Sequence, residues 1–254
     1  MPTNPLDLTG RAILVTGASS GIGRDTAVLL SELGATLILV ARNVENLEKT
    51  RSQLRGAGHI TAQFDVAEAS GLPTLLKELS AKTGPLHGIV HCAGVYSIRL
   101  IRSLDLSQIE QMLRVNLSSA MLLVKGFRQK SVAAKGGSVV LLSSAAAVKG
   151  QAGLSLYSAS KAALIGFARS AAVELAPEGL RVNCIAPGWV ETPMTREARE
   201  SMLTDEQASA IEKAHPLGIG HPRDVAHAAA FLLADTGRWV TGTTLVVDGG
   251  FSAQ

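Results

Sequence analysis

Short aliphatic runs constrain this chain more than any other feature: "AILVT" at 12–16, "TLILVA" at 36–41, "GIVHCA" at 88–93, "SVVLLSS" at 138–144, "RVNCIA" at 181–186 and "TLVVDG" at 244–249. Their apolar residues do not alternate with polar ones, so each reads as a strand buried on both faces. Between them lie stretches of helical length and pattern, such as "GRDTAVLLSELG" at 23–34 and "DLSQIEQMLRVNLSSAMLLVKGFRQ" at 105–129. Strands alternating with helices predict an α/β fold, a doubly wound parallel sheet of Rossmann type with helices on both faces. No composition shift, linker or fixed-period repeat divides the 254 residues, so one domain over 1–254 is expected.

Composition narrows the function. The net charge of +3 is mild, Lys and Arg form no run of five, and aromatics are 4%, which argues against nucleic acid and suits an anionic small ligand. Cys92 and Cys184 are lone thiols without metal-ligand spacing, and the six histidines have no carboxylate partner at such spacing, so no metal site is expected. The amino-terminal stretch has no basic region followed by an apolar one, and no later run approaches about 18 uninterrupted apolar residues. A cytoplasmic chain without membrane spans is the expectation. The polar segment 192–218 breaks the strand rhythm and reads as a substrate lid or a pair of solvated surface helices.

The first strand runs into "TGASSGIGR", where Gly17, Gly21 and Gly23 precede a helix starting near Ile22. Gly17 permits a tight turn, Gly21 a close approach of backbone to phosphate, and Gly23 close packing of helix on strand. The helix amino terminus then offers N–H groups and partial positive charge to a pyrophosphate. Ser20 and Arg24 stand ready to add polar contacts. The second strand ends in Ala41-Arg42 with no acid before Glu45. An acid there would bind a ribose 2′-hydroxyl, whereas Arg42 can pair with a 2′-phosphate, so NADP(H) is favoured over NAD(H). Arg42 as the first solvated residue after a strand is the plainer alternative. The third strand, "ITAQFDV", brings Asp65-Val66 to the sheet edge, where Asp65 can meet an adenine amino group or cap a helix.

Tyr157 and Lys161 stand four residues apart in "LSLYSASKAALIGFARSAAVEL" and share one face if 157–175 is helical. An ammonium beside a phenol favours the phenolate and makes the pair a general acid/base unit. A surface tyrosine beside an exposed lysine is the bland reading of the pair alone. Ser144 ends a strand thirteen positions upstream, and Asn116 sits inside an apolar helical stretch where a buried amide needs partners or can hold a water.

"TGASSGIG" at 16–23, "HCAG" at 91–94, Asn116, Ser144, Tyr157-x-x-x-Lys161, "APG" at 186–188 followed by Thr192, and "VDGG" at 247–250 resemble the short-chain dehydrogenase/reductase family in its compact form, over essentially the whole chain. The resemblance implies a tetrad. Tyr157 would exchange a proton with the carbonyl or alcohol oxygen, and Ser144 would stabilise charge on that oxygen. Lys161 would bind the nicotinamide ribose and depress the Tyr157 pKa, and Asn116 would hold a water linked to Lys161. It also implies cofactor contacts from Gly17, Ser19, Ser20, Gly21, Ile22 and Gly23, from Arg42, Asp65 and Val66, and from Ala93 and Gly94. Pro187, Gly188, Val190 and Thr192 would receive the carboxamide. The family's usual Asn-Asn-Ala-Gly is here His91-Cys92-Ala93-Gly94, and Trp239 stands where many relatives carry a tyrosine, in a region that in the family packs against a neighbouring subunit; the resemblance implies a homotetramer.

Tyr96, Ala145, Ala146, Val148, Gln151, Leu154, Trp189 and Met194 are the residues expected to border the substrate, with Ser144 and Tyr157. Their apolar character suits a carbonyl or secondary alcohol on an aliphatic or ring-bearing body. Within the family the chain resembles 3-oxoacyl-thioester reductases acting on carrier-protein- or CoA-bound substrates. Glu178 stands where carrier-using relatives often have a basic residue, although Arg99, Arg102, Lys130 and Lys135 could greet an acidic partner. A ketoreductase for a free ketone, sugar or steroid-like alcohol is one alternative, and a non-catalytic NADP-binding sensor is another.

Overall fold

The computed structural model describes residues 4–254; residues 1–3, at the start of the stretch expected to carry no leader, lie outside them. In chain order the main elements are β1 (Ala12–Thr16), α1 (Gly21–Glu32), β2 (Thr36–Ala41), α2 (Val44–Arg51), β3 (Ile60–Gln63), α3 (Leu72–Thr83), β4 (Leu86–His91), α4 (Leu106–Leu113), α5 (Ser119–Phe127), β5 (Ala133–Leu142), α6 (Ser155–Leu175), β6 (Arg181–Pro187), α7 (Pro193–Met202), α8 (Asp205–Lys213), α9 (Pro222–Leu233) and β7 (Thr244–Val247). The strands form one sheet in the order 3-2-1-4-5-6-7, every pairing parallel.

The unbroken apolar runs are explained by two cores. Successive residues of a strand point to opposite faces, so Leu14, Leu86 and Leu141 pack with Phe127 and Leu164 on one side. Ile13, Val15 and Val140 pack with Leu30, Val225 and Leu233 on the other. Strand order reverses between β1 and β4, and a parallel sheet opens a crevice at the carboxyl ends of its strands at such a point. Thr16, His91 and the loops that follow them meet there.

Several elements differ from the sequence expectation. The helix expected across 105–129 is interrupted by a π turn at Arg114–Ser118, from whose centre the side chain of Asn116 bonds to the backbone of Val95. β3 stops at Gln63, so Asp65 and Val66 lie in the loop beyond it; β5 stops at Leu142, and Ser144 starts a separate 3₁₀ turn. No helix among the described residues is long and apolar enough to cross a membrane.

Candidate active site

The loop between β1 and α1 is shaped for close approach. Gly17 and Gly21 have φ of +66° and +51°, a left-handed backbone that favours glycine. A side chain on Gly17 would start 2.8 Å from the Ala93 nitrogen, and one on Gly23 would collide with the Gly17 carbonyl. Ser20 precedes the helix in extended conformation without capping α1 through its side chain, which leaves amino-terminal N–H groups for an anion. Arg24 is not free to join them: its guanidinium donates to Thr50 Oγ1 at 3.0 Å and to the Ser19 carbonyl, and so braces the loop from behind.

At the end of β2, Arg42 is 76% exposed at its side chain and lies 3.8 Å from Asp65 Oδ2. The other Asp65 oxygen accepts from the Ala67 N–H at 2.9 Å, a turn-forming bond rather than a helix cap. An exposed guanidinium on the rim, a helix start with free donors and glycines where a Cβ would clash together fit a dinucleotide carrying a 2′-phosphate.

Across the cleft, α6 presents Tyr157 and Lys161 one turn apart. Lys161 is 5% exposed, and its ammonium stands 5.8 Å from the Tyr157 ring centroid and donates to the Leu142 carbonyl at 2.8 Å. Ser143 ties the same turn of helix to the sheet by donating to the Lys161 carbonyl at 2.8 Å. Tyr96 packs edge-on against Tyr157, with centroids 5.1 Å apart and planes at 80°. Burial dominates both ionisable groups: it pushes the Tyr157 phenol up to about 12, against the lowering influence of the Ser144 hydroxyl, and pushes Lys161 down to about 8. The net shift of the Tyr157 pKa is thus upward, opposite to the depression expected from Lys161, because burial outweighs the Ser144 hydrogen bond. Tyr157 is a protonated acid at neutral pH.

Asn116, 1% exposed, lies behind the cleft wall. Its Oδ1 accepts from the Val95 N–H at 2.8 Å, and its Nδ2 donates to the Val95 carbonyl, to Ser160 Oγ and to Met112 Sδ, each at 3.0 Å. A side chain on Gly94 would begin 3.2 Å from Asn116 Oδ1 and 3.3 Å from Lys161 Nζ. Glycine there lets the loop after β4 lie directly on the amide and the ammonium.

His91 stands in for the family's usual asparagine. Its Nδ1 is 2.7 Å from Thr16 Oγ1 and its Nε2 2.9 Å from Ser119 Oγ, and burial drops its pKa to about 3. The ring is neutral, with one donor and one acceptor. Ser119 Oγ donates to the Val115 carbonyl at 2.5 Å, so it accepts from Nε2–H; Thr16 Oγ1 accepts from the Ala93 N–H at 3.2 Å and donates to Nδ1. One relay thus joins the glycine loop, the end of β4 and the π turn. Cys92 beside it has a thiol pushed up to about 12 by burial and is a poor nucleophile.

A single cleft of about 1210 Å³ gathers nearly all of the residues singled out from the sequence. Gly17, Ser19, Ser20, Gly21, Ile22, Gly23, Arg42, Asp65, Val66, Ala93 and Gly94 line it, as do Tyr96, Ser144, Ala145, Ala146, Gln151, Leu154, Tyr157 and Lys161. Pro187, Gly188, Trp189, Val190, Thr192 and Met194 complete that set; Asn116 stands behind the wall, and Val148 is exposed outside it. Thr192 caps α7 and reciprocates with Thr195, and its side chain would lie 3.2 Å from a Cβ on Gly21, so the 192–218 segment touches the glycine loop. Lys149, His215 and Phe251 also line the cleft, although no sequence motif marks them. Among the described residues no cluster of three or more His, Cys, Asp or Glu could hold a metal ion.

Comparison with known proteins agrees with this geometry. Residues 17–252 match a family model described as enoyl-(acyl carrier protein) reductase. A short-chain dehydrogenase from Burkholderia cenocepacia J2315, solved in complex with NADP, superposes with a TM-score of 0.88 at 30% identity, covering 98% of this chain and 99% of that one. The chain belongs to the short-chain dehydrogenase/reductase family. Within the family it is 37% identical over 237 residues to the 3-oxoacyl-[acyl-carrier-protein] reductase of Mus musculus, covering 93% of this chain and 95% of the relative. To the reductase of that name in Escherichia coli K12 it is 34% identical over 246 residues, covering 96% and 98%. It shares with short-chain dehydrogenase/reductase enzymes an oxidoreductase chemistry.

Proposed function

We propose that this short-chain dehydrogenase/reductase reduces the carbonyl of a 3-oxoacyl thioester with NADP(H). The observation that carries the reading is the convergence of Tyr157, Ser144 and Lys161 on the cleft that also holds the glycine loop and Arg42. The likeness to 3-oxoacyl reductases and the NADP complex of a solved relative support it.

When bound, the nicotinamide supplies or takes a hydride. The remaining work falls to the chain. Tyr157, protonated at neutral pH, gives its phenolic proton to the carbonyl oxygen as charge develops there, and the Ser144 hydroxyl donates to the same oxygen. Lys161 lies one turn away, and its positive charge offsets the phenolate left behind. Gly17 through Gly23 and the start of α1 hold the pyrophosphate, Arg42 the 2′-phosphate and Asp65 the adenine edge. The stretch Pro187 to Thr192 receives the carboxamide, steadied where Gly220 N–H donates to the Trp189 carbonyl at 3.0 Å and Glu191 N–H to the Gly220 carbonyl at 2.8 Å. Asn116 fixes Val95 and with it the floor beneath Lys161. The segment 192–218 acts as the lid, and the assembly is a homotetramer.

A second reading, reduction of a free ketone, draws support from Glu178. It pairs with Arg128 at 2.7 Å and so commits a cation that an acidic carrier would otherwise meet. NADPH oxidation with a panel of 3-oxoacyl thioesters and of simple ketones separates the readings. Turnover of thioesters supports the first and turnover of ketones alone the second; tight NADPH binding without turnover of either would mark a sensor.

A further inference from the structure

Phe251 lines the cleft from within the segment Asp248–Gln254, whose shape is determined at several points. Asp248 accepts from the Gly250 N–H at 3.0 Å and the Ser252 N–H at 2.8 Å. Lys149 donates to the Phe251 carbonyl at 2.7 Å and to the Gln254 main-chain oxygen at 3.0 Å, while its ammonium stands 4.5 Å from the centroid of the Phe251 ring. The His215 ring stacks on the same phenyl, 4.8 Å away and 14° from parallel. His215 is itself fixed, donating to the Ile211 carbonyl at 2.6 Å and accepting from the Trp189 N–H at 3.0 Å. Gln254 Nε2 donates to the Ala214 carbonyl at 2.7 Å.

Phe251 is therefore where three walls meet: the loop after Ser144 through Lys149, the lid through His215, and its own segment. Phe251 is only 8% exposed, yet it lines the same cleft as Tyr157 and Trp189. A ring gripped by a cation and a stacked imidazole cannot swing aside without breaking both contacts. A rigid apolar wall discriminates by clash rather than by attraction. We propose that Phe251, clamped by Lys149 and His215, sets the upper size of the acyl chain or ring body that the cleft admits beside the reacting carbonyl. The inference rests on the 3-oxoacyl thioester reading for its substrate class.

The test compares kcat/KM of a long 3-oxoacyl thioester, 3-oxododecanoyl, with that of acetoacetyl thioester, using NADPH and the full chain. Phe251→Ala is expected to raise the long-to-short ratio by at least about tenfold, in line with the discrimination that apolar pockets achieve. Phe251→Trp should lower it, and the NADPH dissociation constant should not move. A ratio within about twofold of the wild type in a folded variant, or equal losses on both substrates, would overturn the inference. Should circular dichroism show Phe251→Ala unfolded, Phe251→Leu is read in the same way. A wild type that reduces ketones but no thioester sinks the thioester reading alone; the size limit is then read from decalone against cyclohexanone.

Discussion

At the scale of single residues, burial decides what the ionisable groups can do. Lys161 is held at about 8, so the rate of reduction should fall as pH rises through that value, when the neutral amine no longer offsets a developing phenolate. A kcat/KM profile flat to about pH 10, the region of an ordinary lysine, would contradict this role. His91 makes the opposite demand on stability. It stays neutral in the folded chain down to about pH 3, whereas an unfolded histidine takes a proton near its ordinary value of 6.5. The unfolded state binds the extra proton in that window, so stability is lost as pH falls from about 6.5 towards 3, by up to about 1.4 kcal/mol per pH unit. His91→Asn can still accept from Thr16 and donate to Ser119, and urea midpoints measured against pH should show that acid limb flattened. His91→Leu leaves both hydroxyls short of a partner and should destabilise at every pH by about 1–3 kcal/mol. Equal acid slopes in the wild type and His91→Asn would refute the assignment. Arg42→Asp replaces a phosphate partner with a repelling carboxylate and should turn the kcat/KM preference from NADPH towards NADH; an unchanged ratio would remove Arg42 from the cofactor site.

At the scale of elements, local patterns are legible in the sequence and long-range contacts are not. Strands announce themselves because both faces are covered, and the glycine loop because its backbone angles and contacts exclude side chains at Gly17 and Gly23. Tyr157 and Lys161 are legible because a helix makes sequence spacing into spatial adjacency. The π turn is not, and neither is the bond its Asn116 makes to Val95, twenty-one residues back in the loop after β4. Phe251 and Lys149 are hidden for the same reason, being 102 residues apart in sequence. His215, which reads in the sequence as an ordinary core or surface histidine, is buried as a core residue but on the cleft wall. The expected position of the lid can be tested at its first turn. Thr192 caps α7 and lies against Gly21, so Thr192→Ala should cost about 1 kcal/mol of helix stability and raise the KM for NADPH severalfold. A KM unchanged from the wild type would show that the start of α7 does not bear on the cofactor.

For the whole molecule, the sheet order places the carboxyl ends of β1 and β4 side by side, and the loops leaving them meet the start of α6 in one cleft. The proposed tetramer draws on Trp239, which is 95% exposed beside β7 and would be buried between subunits. Light scattering of Trp239→Ser should report a smaller species than the wild type, and an unaltered mass would remove this side chain from the interface. The proposed chemistry is tested most directly by NADPH oxidation driven by a 3-oxoacyl thioester, followed in the wild type and in Tyr157→Phe at saturating cofactor. Thioester-dependent oxidation is expected in the wild type, and its loss in Tyr157→Phe while NADPH still binds. Turnover by Tyr157→Phe at a rate comparable with the wild type would contradict the role of the phenol as the acid.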